Sequence, residues 1–351
     1  MAVQLETRPA IETTQMYRKT MGSLLGGIIG DAIGTPCEGK TYEQIEKQFG
    51  WVEDISGDGT DDTVMKNLLS TALIRTDGMA TYDDWAQVIL DDWDAIFGSK
   101  VAKFFMSVLH MAHKLRRAGA SPRMVALGNM PSSSSAMCIS PVGIVNAGDP
   151  RAAAAQAYSV ASLIHIHDVS FCQDGAAAMA AAVAEAYKPG ATVESILDAA
   201  VAYIPKLSGA EMLTAIDRML TLARKTNDYK KFRAAAYADS DTLFCRITCD
   251  SRETVPLTLA LLYLSGGDVE KAILYGANFG RDADTIASMV GAIVGALHGV
   301  DAIRPAWIEK IKQYSSRDQV ELATALTQTA IKKHQTLAAS QAIVSAILDA
   351  R

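Results

Sequence analysis

The sequence predicts an all-α protein. Apolar residues recur mostly at helical spacing, few runs show the alternation or β-branched density of strands, and no linker rich in Pro, Gly and Ser divides the chain. The 351 residues, 49% of them apolar, can bury a large core, and their number allows one large domain or two small ones. Because two acidic clusters near opposite ends need a shared core to meet, we expect a single domain over residues 1–351.

The apolar periodicity predicts a series of helices in chain order. Residues 152–186 are rich in Ala, which favours helix, and Pro189 with Gly190 forms a stop. The Ser-rich residues 131–143 interrupt the periodicity and predict an ordered loop that suits a phosphate or a sugar hydroxyl; an ordinary surface loop is an equally good alternative. The other helices are predicted over residues 16–29, 63–75, 82–96, 100–117, 193–203, 210–224, 255–264, 269–277, 284–298 and 322–348.

Glycines recur at every fourth residue in two of these helices. They are Gly22, Gly26, Gly30 and Gly34 in the first, and Gly291, Gly295 and Gly299 in the second. Such stripes allow two helix backbones to approach closely where they cross. We therefore interpret these glycines as packing positions rather than as ligand contacts.

Charge and cysteine content limit the kinds of partner and the cellular compartment that we expect. The chain has 33 basic and 39 acidic residues, a net charge of −6, and no basic block that would indicate a nucleic-acid partner. Its five cysteines lack zinc-site spacing and predict reduced, mostly buried thiols. The charged first 20 residues do not resemble a secretory signal. Since residues 286–300 are apolar but shorter than a membrane span, we expect a cytoplasmic protein without a membrane partner.

Two acidic clusters carry the clearest chemical signal. Residues 57–63 contain Thr60, Asp61 and Asp62, residues 280–285 contain Asp282, Asp284 and Thr285, and each cluster leads into an apolar helix. One acid at a helix start is explained by N-capping, but two adjacent acids exceed that need. Carboxylate and hydroxyl oxygens suit Mg²⁺, Mn²⁺ or Ca²⁺. If both clusters face one cleft, their gathered carboxylates require raised pKa values or bound cations.

Other polar residues are candidates by position. Glu38 lies in a turn beyond the first helix, where a carboxylate near metal ions suits a proton donor or a water-activating base; alone it would be a solvated loop residue. His165 and His167 are two residues apart, and either ring could reach the cleft, with Asp168 to orient it. A buried, hydrogen-bonded role is the usual one for each histidine.

The residues of both clusters, with Gly30-Asp31-Ala32-Ile33-Gly34 and Glu38, resemble the ADP-ribosylglycohydrolase family, including the dinitrogenase reductase-activating glycohydrolases. The likeness extends over residues 21–307. It implies a large, orthogonal all-α domain with two Mg²⁺ or Mn²⁺ ions in a cleft. Such proteins cleave the N- or O-glycosidic bond at the anomeric carbon of a ribose, through a transition state with oxocarbenium character.

The resemblance also assigns roles to residues of this chain. It implies that Glu38 is the mechanistic glutamate and that Asp61 and Asp284 are catalytic as well as metal-binding. The implied metal ligands are Thr60, Asp61, Asp62, Asp282, Asp284 and Thr285. The implied substrate-binding residues are Asp31, Ser133, Ser134, Ser135, Met137, Gly143, His165, Gly280 and Arg281, with His167 as a less favoured replacement for His165.

Two departures from the family pattern bear on the substrate. Cys138 stands where the family has Arg, and Arg281 stands where it often has Gly. We expect a hydrolase that removes ADP-ribose from an acceptor such as an arginine guanidinium of an ADP-ribosylated protein. Loss of the Arg motivates a hydrolase of a small N-riboside as an alternative. A non-catalytic binding protein, like the crystallin-type members of the family, is a further alternative.

Overall fold

The computed structural model describes residues 10–99 and 101–349. Within these ranges the chain forms α-helices and short 3-10 turns without a strand, so the all-α prediction is confirmed. The α-helices are α1 Gln15–Gly34, α2 Tyr42–Phe49, α3 Asp61–Arg75, α4 Tyr82–Asp91, α5 Asp94–Phe97, α6 Met106–Arg116, α7 Ser140–Val145, α8 Pro150–Ala161, α9 Phe171–Ala186, α10 Val193–Ala202, α11 Ala210–Thr226, α12 Tyr229–Ala238, α13 Ser240–Leu243, α14 Ser251–Ser265, α15 Val269–Ala277, α16 Ala283–His298, α17 Pro305–Tyr314 and α18 Gln319–Asp349.

Three predicted helices differ from the structure. The Ala-rich stretch forms two helices, α8 and α9, because Ile166 is extended and His167 has a φ of 55°, which a continuous right-handed helix does not allow. Residues 82–96 form α4 and α5 with a break between them. Of the helix predicted over residues 100–117, Lys100 lies outside the described residues, and α6 begins only at Met106.

The Ser-rich segment is neither a surface loop nor a loop throughout. Residues 132–145 are all buried, and the last six of them form α7. Gly143 therefore lies inside a helix, where an added Cβ would come within 2.6 Å of the Val183 side chain. The surface-loop alternative is wrong because this segment passes through the interior of the protein.

The helices α1 and α16 cross in close contact and run antiparallel. An added Cβ on Gly30 would lie 2.1 Å from the Ala287 carbonyl oxygen, and one on Gly26 would lie 2.2 Å from that of Gly291. Such distances are shorter than van der Waals contact, so only glycine permits this crossing. The interpretation of the glycine stripes as packing positions is confirmed.

One large apolar cluster connects the two ends of the chain. It includes Tyr17 of α1, Trp85 of α4, Trp307 of α17 and Leu326 of α18. The cysteines are free thiols, four of them buried, as predicted. In the described part of the chain, no helix is both long enough and apolar enough to cross a bilayer.

Candidate metal centre

The antiparallel crossing of α1 and α16 brings the two acidic clusters together. Gly34 at the end of α1 packs against Asp284 in the first turn of α16, where an added Cβ would lie 2.4 Å from the Asp284 Cα. Asp31, one turn earlier in α1, contacts the start of α3. Residues more than two hundred positions apart in sequence thus share one buried site.

Asp31 supports the start of α3 from outside that helix. Its Oδ1 accepts from the Thr60 backbone N–H at 2.8 Å, and its Oδ2 accepts from the Thr63 hydroxyl at 2.5 Å and from the Thr63 N–H at 3.1 Å. Gly59 allows this approach, since a Cβ there would lie 2.1 Å from the Asp31 carboxylate. Asp31 is fully buried and both its oxygens are engaged, so the geometry gives it a positioning role behind the cleft.

Capping does not account for the acidic residues. Thr60 is the N-cap residue of α3 and Asp282 that of α16, yet neither side chain makes the capping hydrogen bond. Asp31 supplies the acceptor for the N–H groups of α3 instead. The oxygens of Asp61, Asp62 and Asp284 are therefore not consumed by capping.

The hydroxyl and carboxylate groups of both clusters converge, and some of the carboxylate oxygens have no hydrogen-bond partner among the described residues. The Thr60 hydroxyl is 3.1 Å from Asp284 Oδ2 and 3.3 Å from Asp62 Oδ2, and the Thr285 hydroxyl is 3.2 Å from Asp62 Oδ2. A hydroxyl has a single proton to donate. Asp62 Oδ1 and Asp284 Oδ1 are buried and have no hydrogen-bond partner among the described residues. Buried, unpaired carboxylate oxygens next to hydroxyl oxygens fit hard divalent cations.

The electrostatics of the cluster favour cation binding. Burial, with a smaller contribution from nearby carboxylates, raises the pKa of Asp61 to about 7 and that of Asp282 to about 8. Burial also raises the pKa values of Asp62 and Asp284 well above the ordinary range. A divalent ion would reverse these shifts by pairing with the ionised forms.

Lys66 provides one positive charge beneath the cluster. It is 1% exposed, and its ammonium has no hydrogen-bond partner in the part of the chain that the structure describes. Burial lowers its pKa to about 8, while the charges of Asp31 and Asp62 oppose that decrease. A single lysine balances only part of the negative charge of the carboxylates around it.

A cleft of about 250 Å³ opens above the acidic cluster. Glu38, Asp282 and Asp284 offer carboxylate oxygens that all lie within 4.8 Å of one another, and Glu38 is the exposed member. Burial of its carboxyl group and the charge of Asp31 raise the pKa of Glu38. The residues that line the cleft are Glu38, Asp61, Ala102, Lys103, Phe104, Phe105, Ser133, Ser134, Met137, Thr248, Cys249, Asp282, Asp284 and Thr285.

The serine segment forms one wall of this cleft, and His165 stands behind it. The Ser133 hydroxyl donates to Asp282 Oδ2 at 3.1 Å. His165 is fully buried, with Nε2 3.0 Å from the Ser132 hydroxyl and Nδ1 2.8 Å from that of Ser135. Burial lowers the pKa of His165 to about 3, which keeps the ring neutral.

The expectation that a histidine reaches the cleft is not met. His165 orients Ser132 and Ser135 rather than facing the cleft, and His167 is exposed in a 3-10 turn away from it. Asp168 is not the partner of the His165 ring; the serine hydroxyls take that role. Ser135 and Gly143 also lie outside the cleft lining.

Arg281 connects the first turn of α14 with the segments around Cys245 and Lys40. Its guanidinium donates to both Glu253 carboxylate oxygens at 2.7 and 2.8 Å, and to the Cys245 carbonyl at 2.7 Å. Its backbone exchanges hydrogen bonds with Gly39 and Lys40, next to Glu38. Gly280, with a φ of 85°, also packs on Lys40. Gly280 and Arg281 do not line the cleft, so the structure gives them a positioning role.

Sequence reasoning missed two segments that line the cleft. Lys103, Phe104 and Phe105 come from the residues predicted as the start of a helix, and the Phe105 N–H donates to Asp61 Oδ2 at 3.0 Å. Thr248 and Cys249 precede α14. Phe104 and Phe105 are apolar and continue the helical periodicity of α6, so no local sequence pattern identifies them as cleft residues. Asp250, the N-cap residue of α14, does indicate that a loop precedes that helix.

The fold and site define an all-α protein whose acidic clusters meet at one carboxylate-rich cleft. The chain matches the ADP-ribosylglycohydrolase family over residues 12–336 and belongs to that family. It is therefore a glycosidase of the kind that acts on glycosidic bonds of ADP-ribose.

The chain is also similar to individual proteins over most of its length. An uncharacterized protein of Escherichia coli (strain K12), YegU, is 28% identical over 88% of this chain and 96% of its own length. The ADP-ribosyl-[dinitrogen reductase] glycohydrolase of Rhodospirillum rubrum is 22% identical over 89% of this chain and 97% of its own. A solved structure of an ADP-ribosylglycohydrolase-related protein complex superposes with a TM-score of 0.64 at 18% identity, over 90% of this chain and 99% of that one, which supports the fold.

Proposed function

We propose that this chain is a divalent-metal-dependent hydrolase that releases ADP-ribose from an acceptor by cleaving the bond at the anomeric carbon of the ribose. The proposal rests on the convergence of both acidic clusters and Glu38 in one cleft. Family membership supports an ADP-ribosyl substrate. The acceptor that we propose first is an arginine of an ADP-ribosylated protein.

The proposed division of labour follows from the chemistry of the side chains. Two ions, Mg²⁺ or Mn²⁺, would be held by Thr60, Asp61, Asp62, Asp282, Asp284 and Thr285. Ions bound there would orient the ribose hydroxyls and help to activate the attacking water, while positive charge develops on the ribose in the transition state. Glu38, at the exposed edge of the cleft, exchanges a proton with the attacking water or with the departing acceptor. Burial of the carboxyl group and the charge of Asp31 raise the pKa of Glu38, and a raised pKa favours a carboxyl group that transfers protons.

A second groove offers room for the remainder of an ADP-ribosyl group. This groove, of about 660 Å³, shares the segments around Pro131 and residues 244–250 with the cleft. Arg218 and Arg246 line it, both are exposed, and neither makes an ion pair with a described residue. Guanidinium groups pair well with phosphate oxygens, so we place the diphosphate there. Cys138, which replaces the family's Arg, is fully buried and faces neither cavity.

The small volume of the cleft favours a second candidate. A space of about 250 Å³ suits a ribose and its base better than a complete ADP-ribosyl group. A hydrolase of a small N-riboside would use the same acidic residues and leave the arginine-lined groove empty. The two candidates therefore differ in the role of Arg218 and Arg246.

Turnover assays separate these candidates. The protein is incubated with an arginine-ADP-ribosylated protein and Mg²⁺ or Mn²⁺, and free ADP-ribose is measured by chromatography beside a panel of nucleosides. We expect release of ADP-ribose, an Asp284→Asn variant without activity, and a raised KM in the Arg218→Ala/Arg246→Ala variant. Nucleoside turnover alone, unaffected by the arginine substitutions, would support the second candidate. Metal binding without turnover of any ribosyl substrate would refute both.

The thiols bear on the compartment. All five cysteines are free, which suits a reducing environment. We therefore propose a cytoplasmic location.

A further inference from the structure

Three lysine side chains are buried in the described part of the chain, and Lys66 differs from the other two. The Lys19 ammonium donates to the carbonyl oxygens of Ala186 and Leu297 at 2.6 and 2.9 Å. The Lys333 ammonium donates to three oxygens at 2.7, 2.8 and 3.0 Å. Lys66 is 1% exposed, and its ammonium donates to no described residue. An apolar side chain would fill this position at lower cost, so packing alone does not explain a lysine there.

The Lys66 ammonium lies at the crossing of α1 and α16, close to the acidic cluster. A Cβ added to Gly27 of α1 would lie 2.8 Å from Lys66 Nζ and 3.5 Å from the Ser288 carbonyl oxygen of α16. Gly27 is four residues, about one helical turn, from Asp31 in α1. Ser288 has the same spacing from Asp284 in α16. The ammonium therefore occupies the layer beneath the carboxylates, and Gly27 leaves space for it.

The helix that carries Lys66 directs its side chain toward the cluster. Lys66 follows Asp62 by four residues in α3, so both lie on the same face of that helix. Side chains in a helix lean toward its N-terminus, which in α3 is the end at the cluster. The negative charges of Asp31 and Asp62 attract the ammonium, yet neither carboxylate lies within hydrogen-bond distance of it. Lys66 is thus a nearby positive charge rather than a direct partner of one carboxylate.

The charge of Lys66 completes the balance of the buried centre. The aspartates that are buried there are Asp31, Asp61, Asp62, Asp282 and Asp284. When all five are ionised, two divalent ions and one ammonium balance their charge. Unbalanced buried charge is costly, and without Lys66 the same two ions leave one negative charge uncompensated.

We propose that Lys66 is a built-in cation of the metal centre, which completes its charge balance and weakens the binding of the divalent ions. This inference rests on the proposed function, because it concerns the same ions. The ammonium repels a divalent ion held by the carboxylates above it, so a centre without Lys66 binds its ions more tightly. Lys66 does not line the cleft, and it acts through the ions rather than on the substrate.

Calorimetric titration of chelator-treated protein with Mn²⁺ near neutral pH tests the role of this charge. Lys66→Met and Lys66→Gln both remove the charge, and we expect each to lower the Mn²⁺ dissociation constant about tenfold or more. A substitution that merely disturbed packing would weaken binding, so tighter binding identifies the charge as the cause. Circular dichroism verifies that the variants are folded.

Lys19→Met is the matched control. It removes a buried ammonium from the same helix crossing, but Lys19 precedes Asp31 by twelve residues, which is about 18 Å along α1. We therefore expect its Mn²⁺ dissociation constant to equal that of the unmodified protein.

Thermal unfolding provides an independent measurement. Without metal, Lys66→Met leaves the carboxylates with less compensating charge, so the increase in Tm on adding Mn²⁺ should be larger than in the unmodified protein. Lys19→Met should show the increase of the unmodified protein.

The outcomes separate this inference from the proposed function. Folded Lys66→Met and Lys66→Gln variants with unchanged or weaker Mn²⁺ binding would overturn the inference and leave the proposed function in place. Tighter binding in a protein that turns over no ribosyl substrate would support the inference and refute the proposed function. An unmodified protein that binds no Mn²⁺ would refute both.

Discussion

Glu38 and Asp284 share one cleft, but their environments predict different roles. Asp284 is buried in the first turn of α16 with an unpaired oxygen, whereas Glu38 stands at the exposed edge on a loop. Burial and neighbouring charge raise the pKa values of both carboxyl groups. Asp284 suits a fixed ligand, whereas Glu38 suits proton transfer, which needs access to water and substrate.

Glu38→Gln is expected to lower kcat by roughly 10²–10⁴-fold, because the amide cannot exchange a proton. Metal affinity, measured by isothermal titration calorimetry with Mn²⁺, should change little. Asp284→Asn is the contrasting variant, and it should lose both activity and metal affinity. Full activity of Glu38→Gln would remove this residue from the mechanism.

The ion pair between Arg281 and Glu253 predicts a structural cost for restoring the family's glycine. Arg281→Gly relieves a positive φ but leaves Glu253 buried and unpaired, so we expect the free energy of unfolding to fall by about 3 kcal/mol. Urea unfolding measures this change.

Two comparisons isolate the cause of that loss. The double variant Arg281→Gly/Glu253→Gln should recover part of the stability, because no unpaired charge remains buried. Arg18→Ala, which breaks an exposed ion pair with Asp301, should have little effect. Equal stability of Arg281→Gly and the unmodified protein would show that the ion pair between Arg281 and Glu253 does not stabilise the fold.

Among the elements, the pair α1 and α16 determines whether the centre can form. Their glycines allow the backbones to touch along the crossing, and this contact places Asp31 and Asp284 on the same site. The pair therefore acts as the scaffold of the candidate metal centre. Spacing in the sequence was enough to predict that these glycines pack.

Gly30→Ala is expected to destabilise the protein by about 3 kcal/mol, because its Cβ would collide with the Ala287 carbonyl, in spite of the higher helix propensity of Ala. Thermal and urea unfolding measure the effect. Gly57→Ala is the control, since no atom lies within 4 Å of its added Cβ. If both substitutions were equally mild, the crossing would not depend on glycine.

For the whole molecule, the gathered carboxylates couple stability to pH and to metal. The folded-state pKa values of Asp61, about 7, and Asp282, about 8, exceed the unfolded value near 4, so the folded state binds protons more tightly. Stability from these groups is present below about pH 4 and is lost as the pH rises to about 8. Divalent ions should compensate for this loss because they bind the ionised carboxylates.

The increase in Tm on adding Mn²⁺ to chelator-treated protein should therefore grow from about pH 5 to about pH 8. Differential scanning fluorimetry at several pH values measures it. An Asp282→Asn/Asp284→Asn variant should show a much smaller increase at every pH. An increase that does not depend on pH in the unmodified protein would contradict this linkage.

The sequence alone determined the all-α class, the packing role of the glycine stripes and the family, because periodicity and short motifs are local signals. The identity of the metal ligands and substrate contacts stays a prediction that variants must test. Only the tertiary structure decided that Asp31 supports α3, that His165 orients serines and that Phe104, Phe105 and Cys249 line the cleft. These roles depend on which side chains meet across helices far apart in sequence, and residue spacing along one helix does not encode such meetings.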